Sequence, residues 1–231
     1  MILYGRNPVR EALRARRRPV QRVWATKGAA REPWLQDGVR VQVVGGDEVA
    51  ARAGTEAHQG ICAETGPYPY ADAAGLLAAP EPFLIMLDEV QDPQNLGAIA
   101  RTAECAGATG LLIGERRSAE VTPAACKASA GAVEWLPVAR VRNVADALAD
   151  AKAAGCWVYG AAADGVDYLR PDYSGGCVLV LGAEGRGLRP RVRAACDEVV
   201  ALPMRGHLDS LNVSAAASAL VYGALQSRLR A

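Results

Sequence analysis

Apolar positions follow two different rhythms along this chain, and the change comes near residue 83. Before it, the segments 20–25 (VQRVWA), 39–44 (VRVQVV) and 60–64 (GICAE) alternate or run apolar over strand-like lengths. With a helix near the start they predict a small α/β unit over residues 1–65. After it, FLIMLDEV, TGLLIG, CWVYGAAA, CVLVLG and VVALPM are near-continuous apolar runs, the mark of strands buried on both faces. Helical stretches separate them. One covers 95–106 and stops at Gly107, Thr122-Pro123 opens another, Asn143 caps a third that stops at Gly155, and the last runs from about Leu211 to Leu229. Repeated βα units of this kind predict a largely parallel sheet covered by helices over residues 83–231. Between the two units, Gly66-Pro67-Tyr68-Pro69-Tyr70 and Ala79-Pro80-Glu81-Pro82 bracket a short Ala-rich piece. Prolines at this density predict a linker at 66–82 with few contacts across it.

Composition narrows the class. With 51% hydrophobic residues in 231, the chain can bury a real core, which excludes disorder for most of it. No apolar run approaches the roughly 20 residues of a bilayer span. The N-terminus lacks the apolar stretch and cleavage site of a signal peptide, so a cytoplasmic protein with no membrane partner is expected. No two of the six cysteines have CxxC spacing, and with only His58 and His207 to help them no metal centre is expected.

The net charge of +1 hides an asymmetry, because Arg6 to Arg31 carry nine basic residues against one acid. Arg6, Arg10, Arg14 and Arg17 fall at i, i+4, i+8 and i+11 of a helix that Asn7-Pro8 is expected to open. A stripe with no acid in it is expected to meet an anion, most simply the phosphate backbone of RNA.

Polar residues break the apolar rhythm after three of the later strands, at 87–97, 181–188 and 202–214. Open parallel sheets bind ligands beyond the carboxyl ends of their strands, so these loops should share one site. Each loop read singly also admits a local role. Asn95 could cap a helix, Gly182, Gly185 and Gly187 could serve turning alone, and Ser210 could cap the last helix. The Gly-x-x-Gly-x-Gly loop follows a late strand, whereas a dinucleotide fold places its glycines at the first βα turn.

Together the loops resemble the three motifs of the SpoU (TrmH-like) RNA 2′-O-ribose methyltransferases of the SPOUT superfamily. The resemblance covers 83–231 and is most specific in the third motif, PMxGxxxSLNVSxA, beginning at Pro203. In the first unit, YGxNPVxEAL from Tyr4 and His58-Gln59-Gly60 resemble the family's L30e-like substrate-binding domain. Arg117-Ser118-Ala119 through Pro137, with the Arg140–Asn143 segment, resembles the branch acting on a guanosine of 23S ribosomal RNA.

The resemblance implies a C-terminal trefoil-knotted α/β domain, a homodimer with shared active sites, and S-adenosylmethionine as cofactor. Main-chain groups at Leu181, Gly182, Leu202 and Leu211 would hold that cofactor. Arg101 matches the arginine that activates the ribose hydroxyl, supplied by the partner chain. A guanidinium stays protonated up to about pH 12, so phosphate binding and polarisation come before general-base action. Asn95, Glu184, Ser210 and Asn212 match the remaining functional positions. The same reaction on transfer RNA or another ribosomal nucleotide, or a non-catalytic RNA-binding protein of this fold, are the alternatives. Two departures stand out: Lys27 to Gln42 is short for the family, and His207-Leu208-Asp209 sets an acid beside Ser210.

Overall fold

A computed structural model describes residues 1–35 and 39–230. Part of the shortened Lys27–Gln42 stretch therefore lies outside the described residues.

The first unit contains β1 (Ile2–Tyr4), α1 (Arg6–Ala15), β2 (Val20–Ala25), β3 (Val41–Val43), α2 (Gly46–Ala53) and β4 (Ile61–Thr65). Its sheet has the order β1-β4-β2-β3, with β2 and β3 parallel and the other pairs antiparallel. β1 and α2 had no counterpart in the apolar pattern: β1 has only three residues, too few to establish a period, and α2 buries only Val49. The chain enters α1 through Gly5 at φ +94°, a conformation that leaves Asn7 inside the helix and not at its cap. Val9 and Ala12 are buried, and the helix stops where Arg16 turns left-handed. Arg17 thus lies beyond the helix, so the expected four-arginine stripe ends at Arg14.

α3 (Ala73–Leu77) follows, and then β5 (Phe83–Asp88), α4 (Pro93–Cys105), β6 (Gly110–Gly114), α5 (Pro123–Ala128) and β7 (Val138–Val141). The chain continues with α6 (Val144–Ala153), β8 (Trp157–Asp167), β9 (Cys177–Gly182), α7 (Pro190–Ala195), β10 (Glu198–Ala201) and α8 (Val213–Arg228). The second sheet is parallel throughout, in the order β10-β8-β9-β5-β6-β7. β7 went unread in the sequence because its four residues include Arg140 and directly follow a proline.

Two-residue periodicity sorts the central strands onto two cores. Ile85, Leu87, Leu179 and Leu181 face the side packed with α4, α5 and α8, while Leu84, Met86, Val178 and Val180 face α6 and α7. From β5 the chain winds outward through β6 and β7, then crosses to the other half and returns beside β5 as β9. The β5/β9 junction is therefore the topological switch point, and the register sets Asp88 opposite Gly182 at its carboxyl end. No helix among the described residues is long and apolar enough to cross a membrane.

The segment 66–82 is not a contact-poor linker. It carries the short helix α3, and the tyrosines near its start supply apolar surface that docks on the second unit. Tyr68 is buried and donates to the Val133 carbonyl at 2.8 Å, and the Ala71 N–H donates to Val138 O at 2.8 Å at the edge of β7. Arg18 and Glu134 form an ion pair across the same junction, each side chain almost wholly buried. One continuous apolar cluster joins Leu3 and Val9 to Val133 and Leu136.

Candidate active site

Asp92 caps α4 by accepting from the Gln94 N–H at 2.8 Å, with Pro93 in the first turn, where its missing N–H costs nothing. The local capping role allowed for Asn95 is thus filled by Asp92. Asn95 sits three residues beyond that cap, is buried, and turns its amide toward the end of β9.

Past β9 the chain reverses tightly. The Gly187 N–H donates to Ala183 O at 2.9 Å, and Gly185 and Gly187 take positive φ. A β-carbon on Gly182 would lie 2.2 Å from the Gly187 carbonyl carbon, so the turn closes only around glycine. This turn presents Glu184.

At the third loop Asn212, not Ser210, caps α8, its Oδ1 accepting from the Ser214 N–H at 2.9 Å. Using Oδ1 for the cap frees the other half of the amide. Asn212 Nδ2 donates to Glu184 Oε1 at 2.7 Å and to Asn95 Oδ1 at 3.1 Å, and Asn95 Nδ2 donates to Glu184 Oε1 at 2.9 Å. One residue from each loop closes a triangle. Two amide donors converge on one carboxylate oxygen and leave Glu184 Oε2 without a protein partner among the described residues. Beside it opens a cleft of about 270 Å³ lined by Glu89, Val90, Asn95, Ala183, Glu184 and Arg186. A carboxylate held this way can accept a hydroxyl proton in a hydrogen bond and fix its direction.

The remaining site positions lie outside the triangle. Ser210 is exposed, and among the described residues its Oγ hydrogen-bonds only to Asp209 Oδ1, at 3.3 Å. Arg101 is exposed on α4, six residues or roughly 9 Å of helix beyond Asn95, and makes no side-chain hydrogen bond among the described residues. Leu181 is buried, Leu202 half-buried and Leu211 exposed, with Met204 and Leu208 also exposed. From Pro203 to Leu211 no backbone–backbone hydrogen bond forms among the described residues, and the stretch is exposed, so its main-chain donors and acceptors face solvent.

The basic helix differs from its expectation. Glu11, which follows Arg10 in the sequence, accepts from Arg10 and Arg14 at 2.7 and 3.2 Å and from the Trp135 indole N–H at 2.9 Å. It thereby offsets the repulsion that the bare stripe implied. Arg6 pairs with Glu32 at 2.9 Å, and Arg17 donates to the carbonyls of Leu136 and Pro69, each at 3.3 Å. Arg17 helps join the two units.

Sequence reasoning also missed a support beneath the triangle. Asp88, fully buried, accepts from the Arg189 backbone N–H at 2.9 Å and from its guanidinium, tying the end of the glycine turn to β5. Glu89 follows in a left-handed conformation, φ +62°, with Arg117 and Arg189 each 3.4 Å from its carboxylate. The available signal was a charged pair ending an otherwise apolar strand. Four of the six cysteines are buried, and burial pushes the Cys62 and Cys177 thiols up to about 11 and Cys126 up to about 12, which makes them inert packing. The described residues hold no group of three or more metal-ligating side chains.

Residues 82–222 match the SpoU rRNA Methylase family, and residues 2–71 match the RNA 2′-O ribose methyltransferase substrate-binding domain. A Bacillus subtilis protein named as a TrmH family tRNA/rRNA methyltransferase, YacO, is 38% identical over 97% of this chain and 94% of its own length. The 23S rRNA (guanosine-2′-O-)-methyltransferase RlmB of Pseudomonas syringae is 36% identical over 98% of this chain and 95% of its own. Among solved structures, the SpoU methyltransferase AviRb of Streptomyces viridochromogenes, in complex with the cofactor AdoMet, superposes with a TM-score of 0.83 at 26% identity. That match covers 99% of this chain and 90% of the AviRb chain.

Proposed function

Because the chain belongs to the SpoU family of RNA methyltransferases, with the trefoil-knotted fold that defines it, we propose that it methylates a ribose 2′-hydroxyl of a guanosine in 23S ribosomal RNA, using S-adenosylmethionine. The observation that carries the reading is the Asn95–Glu184–Asn212 triangle, since a protein that only bound RNA would gain nothing from three remote loops fixing one carboxylate. The guanosine target draws on the similarity to RlmB, and the cofactor on the AdoMet complex of AviRb.

The residues present fit such a cofactor. The 203–211 loop offers unpaired main-chain donors and acceptors able to read an adenine edge, with apolar Met204, Leu208 and Leu211 beside them. Leu181, Gly182, Leu202 and Leu211 would line it. When bound, S-adenosylmethionine supplies an activated methyl group on a sulfonium, so the protein's task reduces to positioning. Aligning two reactants is worth about 7–11 kcal/mol of the barrier.

Glu184, steadied by both asparagines, orients the ribose, and Ser210 contacts the nucleotide once substrate covers its loop. Arg101 reaches the site of a partner subunit in a homodimer, binding a phosphate and polarising the 2′-hydroxyl. Its exposure and distance from Asn95 along α4 support a role across such an interface. Arg6, Arg10 and Arg14 grip the RNA backbone from the first unit. Arg17 contributes there through its position at the junction.

Arg101→Ala should abolish methyl transfer to ribosomal RNA transcripts while calorimetry shows nearly unchanged S-adenosylmethionine affinity; a fully active variant would refute its role. Mapping ribose methylation in cells with and without the protein tests the target. Loss of one 2′-O-methylguanosine in 23S RNA supports the reading, and loss confined to transfer RNA overturns the target.

A further inference from the structure

Next to the cleft lies a second and larger concavity, a groove of about 1230 Å³ at the carboxyl ends of β6 and β7 and the start of α6. Its floor is aliphatic, made by Leu77, Leu112, Val144, Ala147 and Val192. Its walls carry Arg116, Arg117, Arg140, Arg142, Arg189 and Arg191 against the acids Glu89, Asp146 and Asp150. The ion pairs divide those arginines into two sets. Arg117 and Arg189 face Glu89, and Arg140 pairs with Glu120 at 3.3 Å while lying over the Tyr70 ring. Arg116, Arg142 and Arg191 are exposed and form no ion pair or side-chain hydrogen bond among the described residues. The buried Arg140 Nε likewise has no acceptor. Positive charge is thus left over along the walls even after Asp146 and Asp150 are counted.

Shape and position indicate what that charge is for. The volume exceeds the roughly 300–1,000 Å³ of a small-molecule pocket, so a polymer suits it better than a single small ligand. Arginine planes above an aliphatic floor suit unstacked bases with phosphates along the rim, whereas a duplex would keep its bases paired and away from the floor. Glu89 lines both the groove and the cleft beside Glu184, so the two adjoin at that residue.

Building on the methyltransferase reading above, we propose that this groove is the track for a single-stranded RNA segment flanking the methylated nucleotide, with Arg116, Arg142 and Arg191 as its phosphate contacts. The strand runs from the groove past Glu89 into the cleft. Recognition through this track selects RNA whose target is flanked by unpaired nucleotides.

The test uses the full chain carrying Arg116→Ala, Arg142→Ala and Arg191→Ala together, with a labelled 12-residue oligouridine and a 12-base-pair RNA duplex as probes. Anisotropy is followed between 50 and 200 mM KCl. Each lost phosphate contact on a single strand removes about 0.7 from the salt slope, so the slope for oligouridine should fall by about 2, with an affinity loss of roughly tenfold or more at 50 mM. A triple Arg→Lys variant should keep most of the slope, separating charge from damage to the fold. An unchanged oligouridine slope, or an equal loss for the duplex, overturns the proposal. Methylation of ribosomal RNA by the unaltered protein is measured in parallel. If that activity is absent but the slope falls, the groove binds single-stranded RNA and the catalytic reading is what fails. If activity is present and the slope stays, the groove proposal fails alone.

Discussion

Gly182→Ala should damage catalysis with little local chemistry removed. The new β-carbon would meet the Gly187 carbonyl carbon at 2.2 Å, its oxygen at 2.3 Å and the Leu188 nitrogen at 2.5 Å. All three are backbone atoms, so no rotamer change relieves the overlap. Ordinary carbon contact begins near 3.5 Å, so the turn must retreat by about 1 Å. That turn carries Glu184, whose bonds to Asn212 and Asn95 are 2.7 and 2.9 Å. A shift of this size takes both beyond hydrogen-bond range and disconnects the triangle. Misplacing a reacting group by 1 Å can cost about 10²-fold in rate, and kcat for transfer of tritiated methyl to ribosomal RNA transcripts should fall by that order. Overpacking of this kind also costs about 1–3 kcal/mol of stability, readable as a lower Tm. A kcat within threefold of the parent, at unchanged Tm, would show that the turn tolerates the methyl group and that the glycine is not required by its closure.

Two further outcomes test the junction between the units. Glu134→Gln should cost about 3–5 kcal/mol in urea unfolding by leaving the buried Arg18 guanidinium unpaired, while Arg18→Met with Glu134→Leu should cost far less. Equal losses would show that the pair's burial is not what matters. At Glu11, burial raises the carboxyl, but the Trp135 indole N–H together with Arg10 and Arg14 more than offsets it and holds the group below its usual range. A depressed folded-state pKa gives stability that is present above the unfolded value and lost as pH falls through the folded one. Glu11→Gln should therefore be less stable at pH 7 by at most about 1 kcal/mol, since Arg10 and Arg14 are partly exposed. The gap should close below about pH 4, and a gap constant down to pH 3 would exclude the carboxylate as its source.

Local rules accounted for much of the architecture. Buried parallel strands, the caps at Thr122 and Asn143 and the three polar loops were legible because each depends on neighbours a few residues away. The short strands β1 and β7 were not, since three or four residues establish no period and tertiary pairing alone decides them. Charge was read incompletely for a related reason. Glu11 lies one residue from Arg10, yet its second oxygen faces Trp135, 124 residues away, and Arg17 leaves the helix to bridge the units.

The list of polar site residues came from the motifs, but their division into a triangle and two outlying groups did not. Asn95 and Glu184 are 89 residues apart, and Asn212 is 117 residues from Asn95, so only closure of the sheet brings them within 3 Å or so. The arginine groove belongs to the same class, because its walls come from the turn after β6, from β7, from α6, and from α7 with the turn before it. Periodicity, capping and turn chemistry act over a few residues and can be read along the chain. Hydrogen bonds between side chains of remote segments, and the shape of the space left between them, exist only after those segments pack.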